Sequence, residues 1–195
     1  NSSPILKGIN FSLKKGESIG ITGKNGSGKS TILRIVSGLI LPDKGKIIIG
    51  NDCNISLINT NERSFYWRLT GMQNLEFFSK LYGIKRNDLT TRIKELDKWF
   101  HLEGLLKKEF MFLSAGQRKK LSIIRALIKE PDLLLCDEVT TSLDKESKEQ
   151  VLEYLKNSVL ENGLSMIWVS HIQSEISLLC TKRYELIEGI LKRAQ

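Results

Sequence analysis

The nine residues "GKNGSGKST", from Gly23 to Thr31, restrict what this chain can become more than any other stretch. They match Gly-x-x-x-x-Gly-Lys-Ser/Thr, and their surroundings fit the match. Before them, "ESIGIT" alternates Ile19 and Ile21 as a strand does; after them, Lys29 to Leu39 reads as a helix. Strand, glycine-rich loop and helix in that order form a phosphate cradle. Glycines let successive backbone N–H groups curl around a phosphate chain, the Lys29 ammonium answers the β and γ charges, and the Ser30 hydroxyl can ligate Mg²⁺. Gly23, Lys24, Asn25, Gly26, Ser27, Gly28, Lys29, Ser30 and Thr31 are therefore the candidate phosphate-binding residues. A glycine-rich turn with no ligand is the plainer alternative.

A second element supports the first. "LLLCDE" is a buried-strand run, Leu133 to Cys136, ending in Asp137 and Glu138. Open α/β sheets place their ligands at the C-terminal ends of strands. There Asp137 can hold Mg²⁺, directly or through its water, and Glu138 can orient and deprotonate a water attacking a γ-phosphate. Helix-capping acids are the competing reading. The next strand, "SMIWVS", is closed by His171. If that strand lies beside the one ending in Asp137, His171 reaches the same phosphate; otherwise it is structural. His101 has no comparable setting.

The third element, "LSAGQRKKLSIIRAL", has a helical second half, with Leu121, Ile124, Leu127 and Ile128 apolar and Arg118, Lys119, Lys120 and Lys129 polar. A helix beginning near Gly116 presents free N–H groups, a serine hydroxyl and a positive dipole end, which suit an anion. Nothing in the local sequence supplies one.

Elsewhere, Ile9 to Leu13, "KIIIG", "NISLI", "SMIWVS" and "YELIE" read as strands, and Thr70–Tyr82, Asp88–Phe100, Gln117–Lys129 and Lys145 to about Asn162 as helices. The alternation predicts an α/β chain with a mostly parallel sheet, crossover helices and a helical insertion near residues 62–130. At 195 residues the chain fits one domain, and its longest apolar runs are too short to cross a bilayer. Cys53, Cys136 and Cys180 suggest neither a disulfide framework nor a zinc site, so a reducing cytoplasm is the expected setting. Thirty basic against 22 acidic residues give +8, which suits nucleic acid, anionic lipid, nucleotide polyphosphate or merely a solvated basic surface.

The order "GKNGSGKST", "LSAGQ", "LLLCDE", "SLD" and His171 closely resembles the ATP-binding subunit of ABC transporters, over most of the chain. The resemblance implies a P-loop ABC-type ATPase core from residues 1–61 and 131–195, a helical subdomain at about 62–130 carrying the signature loop, and a small N-terminal antiparallel β portion. It implies ATP and Mg²⁺ as ligands and a homodimer or pseudo-dimer closed on two ATP molecules. Ser114, Gly116 and Gln117 would then meet ATP held by the other copy, and Asp144 would line the same interface.

Ala115 stands where the family commonly has glycine, and Asn61 falls at the place of a glutamine that contacts Mg²⁺ or water. No aromatic precedes Phe11 to stack on adenine, so the chain is expected to begin late. The stretch after Asn61, with Phe65, Tyr66 and Trp67, is similar to export-type members, where it meets a transmembrane permease subunit; a buried mini-core is the alternative. The implied function is an ATPase powering an exporter, peripheral on the cytoplasmic face through its partner, with nucleic acid not the expected partner. The rivals are a non-transport ABC ATPase acting on ribosome or DNA, and a weakly active regulatory module.

Overall fold

Ser18–Thr22, Leu133–Asp137 and Ser165–Val169 bury nearly every side chain, on both faces, as central strands of a parallel sheet must. They are β1, β3 and β4 of the computed structural model, which describes residues 4–58 and 64–194. β2 is Ile55–Ile58, β5 is Lys182–Ile187 and β6 is Ile190–Arg193. The helices are α1 (Lys29–Val36), α2 (Gly71–Leu81), α3 (Arg86–Phe100), α4 (Glu103–Lys107), α5 (Ala115–Leu127), α6 (Lys145–Asn162) and α7 (Gln173–Leu179).

The chain forms two compact units. The first comprises residues up to Leu57, Pro131–Glu138 and the stretch from Leu155 on; the second runs from Ile58 to Glu130 and includes Val139–Tyr154. The sheet has the order β2-β3-β4-β1-β5-β6. β3, β4, β1 and β5 are parallel, with Cys136 opposite Trp168, Ile21 opposite Val169 and Ile21 opposite Tyr184. β5 and β6 pair antiparallel, through the tight turn at Glu188-Gly189. On one sheet face, Ile19, Ile21, Leu133, Leu135, Ile167 and Val169 pack with Ile32 and Leu33 of α1. On the other, a Cβ at Gly20 would lie 2.6 Å from Ile176 Cγ2 and 3.2 Å from Cys180 Sγ, so a glycine admits α7.

α1 is shorter than the sequence pattern predicts. Gly38 takes φ 76°, and the N–H groups of Gly38 and Leu39 donate back to Ile35 and Arg34 carbonyls, which ends the helix at Val36. The expected strands at residues 9–13 and 46–50 are not formed. Ile9, Phe11 and Leu13 alternate because they lay one side against the core, with no ladder on their backbone. Ile47, Ile48 and Ile49 are exposed, and β-branched composition without a neighbouring strand does not make a sheet. The expected N-terminal antiparallel portion is thus absent among the described residues, and the antiparallel strand pair at β5 and β6 lies at the other end of the chain. The sequence pattern also passes over α4, α7 and β6, each spanning two periods at most and so too short for its periodicity to stand out.

In the second unit, α3 buries Leu89, Ile93, Leu96 and Phe100 along one stripe, and His101 caps it in the left-handed conformation at φ 47°. Phe65 is buried, stacked on Phe110 with centroids 4.6 Å apart and edge-on to Phe78 at 5.6 Å. Tyr66 and Trp67 are half exposed. The two readings of this aromatic triplet therefore divide by residue: Phe65 is mini-core, while its neighbours offer surface. Among the described residues, no helix is long and apolar enough to cross a membrane.

Candidate nucleotide site and signature surface

Because β4 lies between β1 and β3, the C-terminal ends of these parallel strands come out side by side at one sheet edge. β1 delivers the loop Gly23–Gly28, β3 delivers Asp137 and Glu138, and β4 delivers Ser170 and His171. The condition attached to His171 in the sequence is met: its strand is the immediate neighbour of the Asp137 strand.

Within the loop, the buried Lys29 ammonium donates to the carbonyls of Gly23 (2.8 Å) and Lys24 (3.0 Å), and Ser27 N–H closes a turn onto Lys24 O (3.2 Å). Gly28 precedes α1 at φ 106°, where a Cβ would also lie 2.8 Å from Leu6 Cδ2. Gly23 passes so near β5 that a Cβ would approach Leu186 O to 2.6 Å. Ser30 and Thr31 lie in the first turn of α1, while Lys24, Asn25 and Gly26 form the exposed crest.

Glu138 adopts φ 47°, unusual for a residue with a side chain, and its N–H donates to Val169 O at 3.0 Å. This bond extends the β3–β4 ladder one step and turns the chain sharply. The Glu138 carboxylate is left one-third exposed, with His171 Nδ1 3.7 Å from Oε1, close in charge but too long for a hydrogen bond.

The signature residues belong to the second unit. Ser114 is the N-cap of α5: its Oγ accepts from Gln117 N–H (3.2 Å), and the Gln117 Oε1 accepts from Ser114 N–H (3.0 Å). This capping box is written in the sequence as Ser-x-x-Gln before an apolar run. An accepting hydroxyl still has its own hydrogen to donate, and the N–H groups of Ala115 and Gly116 sit at the helix start, where no intrahelical acceptor exists.

Across from it, Ser142 takes φ 80° ahead of Asp144. Asp144 Oδ1 accepts from Ser147 N–H at 2.9 Å; hydrogen bonds from Ser147 hold this carboxyl below its usual range. Lys120 of α5 donates to Gln150 at 3.0 Å, and burial lowers its pKa against the pull of Asp144 and Glu146. Asn61 lies outside the described residues.

A family model described as ABC transporter matches residues 6–141. The chain belongs to the ABC transporter family. This ABC ATPase domain is 34% identical over 185 residues to the ABC transporter ATP-binding protein NatA of Bacillus subtilis strain 168, covering 90% of the chain and 75% of NatA. It is 32% identical over 192 residues to the methionine import ATP-binding protein MetN of Caulobacter vibrioides, covering 92% of the chain but 58% of MetN, less than two thirds of that protein. Among solved structures it superimposes on a dimeric ATP-binding cassette in a post-hydrolysis state bound to ADP and phosphate, with TM-score 0.86 and 26% identity over 98% of this chain and 90% of that one. The export-type subclass is not carried by these comparisons, since an import protein is among the relatives.

The loop of this ABC ATPase domain suits a polyphosphate on its own geometry. Among the described residues, Ser27 Oγ is buried with no hydrogen-bond partner, which leaves it able to take a ligand oxygen. Lys29, among the same described residues, spends two of its three donors on the loop and keeps one. The Ser30 hydroxyl and the Asp137 carboxylate are hard oxygen donors of the kind Mg²⁺ prefers.

Proposed function

We propose that this ABC ATPase domain is the ATP-hydrolysing subunit of a transporter, and that two copies close head to tail on two ATP molecules. The observation that carries the reading is the convergence of Lys29, Asp137, Glu138 and His171 at the ends of β1, β3 and β4.

In this reading the loop amides and the free Lys29 donor bind the β- and γ-phosphates, and Ser30 and Asp137 hold Mg²⁺, which when bound neutralises charge on the phosphates. Glu138 accepts a proton from the attacking water, its carboxylate held at the sheet edge by the left-handed turn. His171 donates a hydrogen bond to the γ-phosphate. The Ser114 hydroxyl and the N–H groups of Ala115 and Gly116 supply donors to ATP on the other copy, with Asp144 beside them. Gln117 acts by holding Ser114 through the capping box.

Tyr66 and Trp67 offer a half-exposed aromatic surface to a transmembrane permease subunit. Export is the proposed direction, supported by the similarity of this stretch to export-type members. The domain would then work at the cytoplasmic face through that partner.

Mixing two variants tests the head-to-tail arrangement. Ser114→Arg paired with Lys29→Ala assembles one composite site with both lesions and one with neither, so the mixture regains ATPase activity that neither variant has alone. If Ser114→Arg abolishes ATP binding at concentrations where no dimer forms, the loop serves its own chain and the reading fails.

A further inference from the structure

We propose that Glu175 and Ser170 are positioning residues for His171, an assignment that rests on His171 being the γ-phosphate donor. Glu175 is 1% exposed, in the first turn of α7. A carboxylate is a costly occupant of such a place, and a leucine beside the buried Ile176 and Leu179 would pack there without that cost. Its bonds show what it does. Glu175 Oε2 accepts the hydroxyl of Ser170 at 2.9 Å, and the same Oγ accepts the N–H of Ile172 at 3.0 Å. Ser170 is itself 2% exposed, so neither bond competes with water.

Ser170 and Ile172 flank His171. The carboxylate orients the hydroxyl by taking its proton, the hydroxyl then presents its lone pair to the next amide but one, and the backbone on both sides of His171 is pinned. The imidazole needs this support, because its own side chain is 62% exposed and its charged neighbour Glu138 lies at 3.7 Å. A chain leaving a strand end with an exposed side chain has many orientations open to it; bracketing the residue leaves few. Glu175 reaches no reacting atom in this scheme and acts on His171 through the loop.

Steady-state ATPase kinetics of the full chain test the assignment. Ser170→Ala and Glu175→Gln each lower kcat, by about ten- to a hundredfold, with KM for ATP little changed, and Ser170→Thr, which keeps the hydroxyl, restores kcat. In a His171→Ala background neither substitution lowers kcat further. Additive losses in that background, or full activity in Ser170→Ala, overturn the proposal. If Glu175→Gln does not fold, the Ser170→Ala and Ser170→Thr pair decides alone.

Should His171→Ala itself turn over normally, the donor reading of His171 falls, and NMR then tests the positioning separately. The chain has two histidines, so their ring signals are readily told apart. Ser170→Ala shifts or broadens those of His171 and leaves those of His101 in place if the bracket exists. Unmoved His171 signals overturn it.

Discussion

Gly116 faces the carbonyl oxygen of Ser142 so closely that a Cβ on Gly116 would lie 3.2 Å from it. The contact joins the first turn of α5 to the loop leading into α6, so the signature loop and the Asp144 loop form one patch of the second unit. Ser142 holds its carbonyl there at φ 80°, a conformation that a β-branched side chain resists. Ser142→Val is therefore expected to cost about 1–3 kcal/mol, read from urea melts, while Ser142→Gly and Ser142→Asn stay near wild type. A wild-type midpoint for Ser142→Val would show that this turn is not held in solution.

Glu138→Gln keeps the shape and hydrogen bonding of the side chain and removes the base. Hydrolysis is expected to fall by roughly 10²–10⁴ while ATP still binds, and a stable ATP-dependent dimer accumulates in gel filtration. Normal turnover would remove Glu138 from the role of base, and its left-handed turn would need another explanation.

Arg125 stacks over the rings of both Phe65 and Phe78, at 4.2 and 4.6 Å from their centroids, and donates to Ser64 Oγ at 2.7 Å. Burial pulls its pKa down, yet a guanidinium keeps its proton. Lysine has the charge but not the plane or the fork, so Arg125→Lys is expected to lose about 1–2 kcal/mol of stability. Chemical denaturation monitored by circular dichroism measures this. Equal stability would mean that charge alone is what the aromatic cluster requires.

Cys180 packs against Gly20 beneath α7, and burial raises its thiol pKa to about 12. At pH 8 the thiol is therefore overwhelmingly protonated and a poor nucleophile. Cys180 is only partly buried, so iodoacetamide at pH 8 is expected to modify it slowly in the native chain and much faster once denaturant is added. Rapid native labelling, located by mass spectrometry, would show that α7 opens readily from the sheet.

Local chemistry made several things plain in the sequence by itself. The phosphate loop between a strand and Lys29, the buried run into Asp137 and the stripe of α3 all follow from spacing within a dozen residues, so reading along the chain is enough. The sequence left other questions to long-range pairing. Ile47 to Ile49 have strand composition but, among the described residues, no neighbouring strand, whereas the less apolar Ile190–Arg193 becomes β6 because β5 lies beside it. Likewise, residues 33 positions apart, Glu138 and His171, meet because β4 inserts between β1 and β3. No local pattern encodes that insertion. It depends on which buried strands satisfy each other's backbone hydrogen bonds while α1 covers one face and α7 the other, and only the folded sheet decides it.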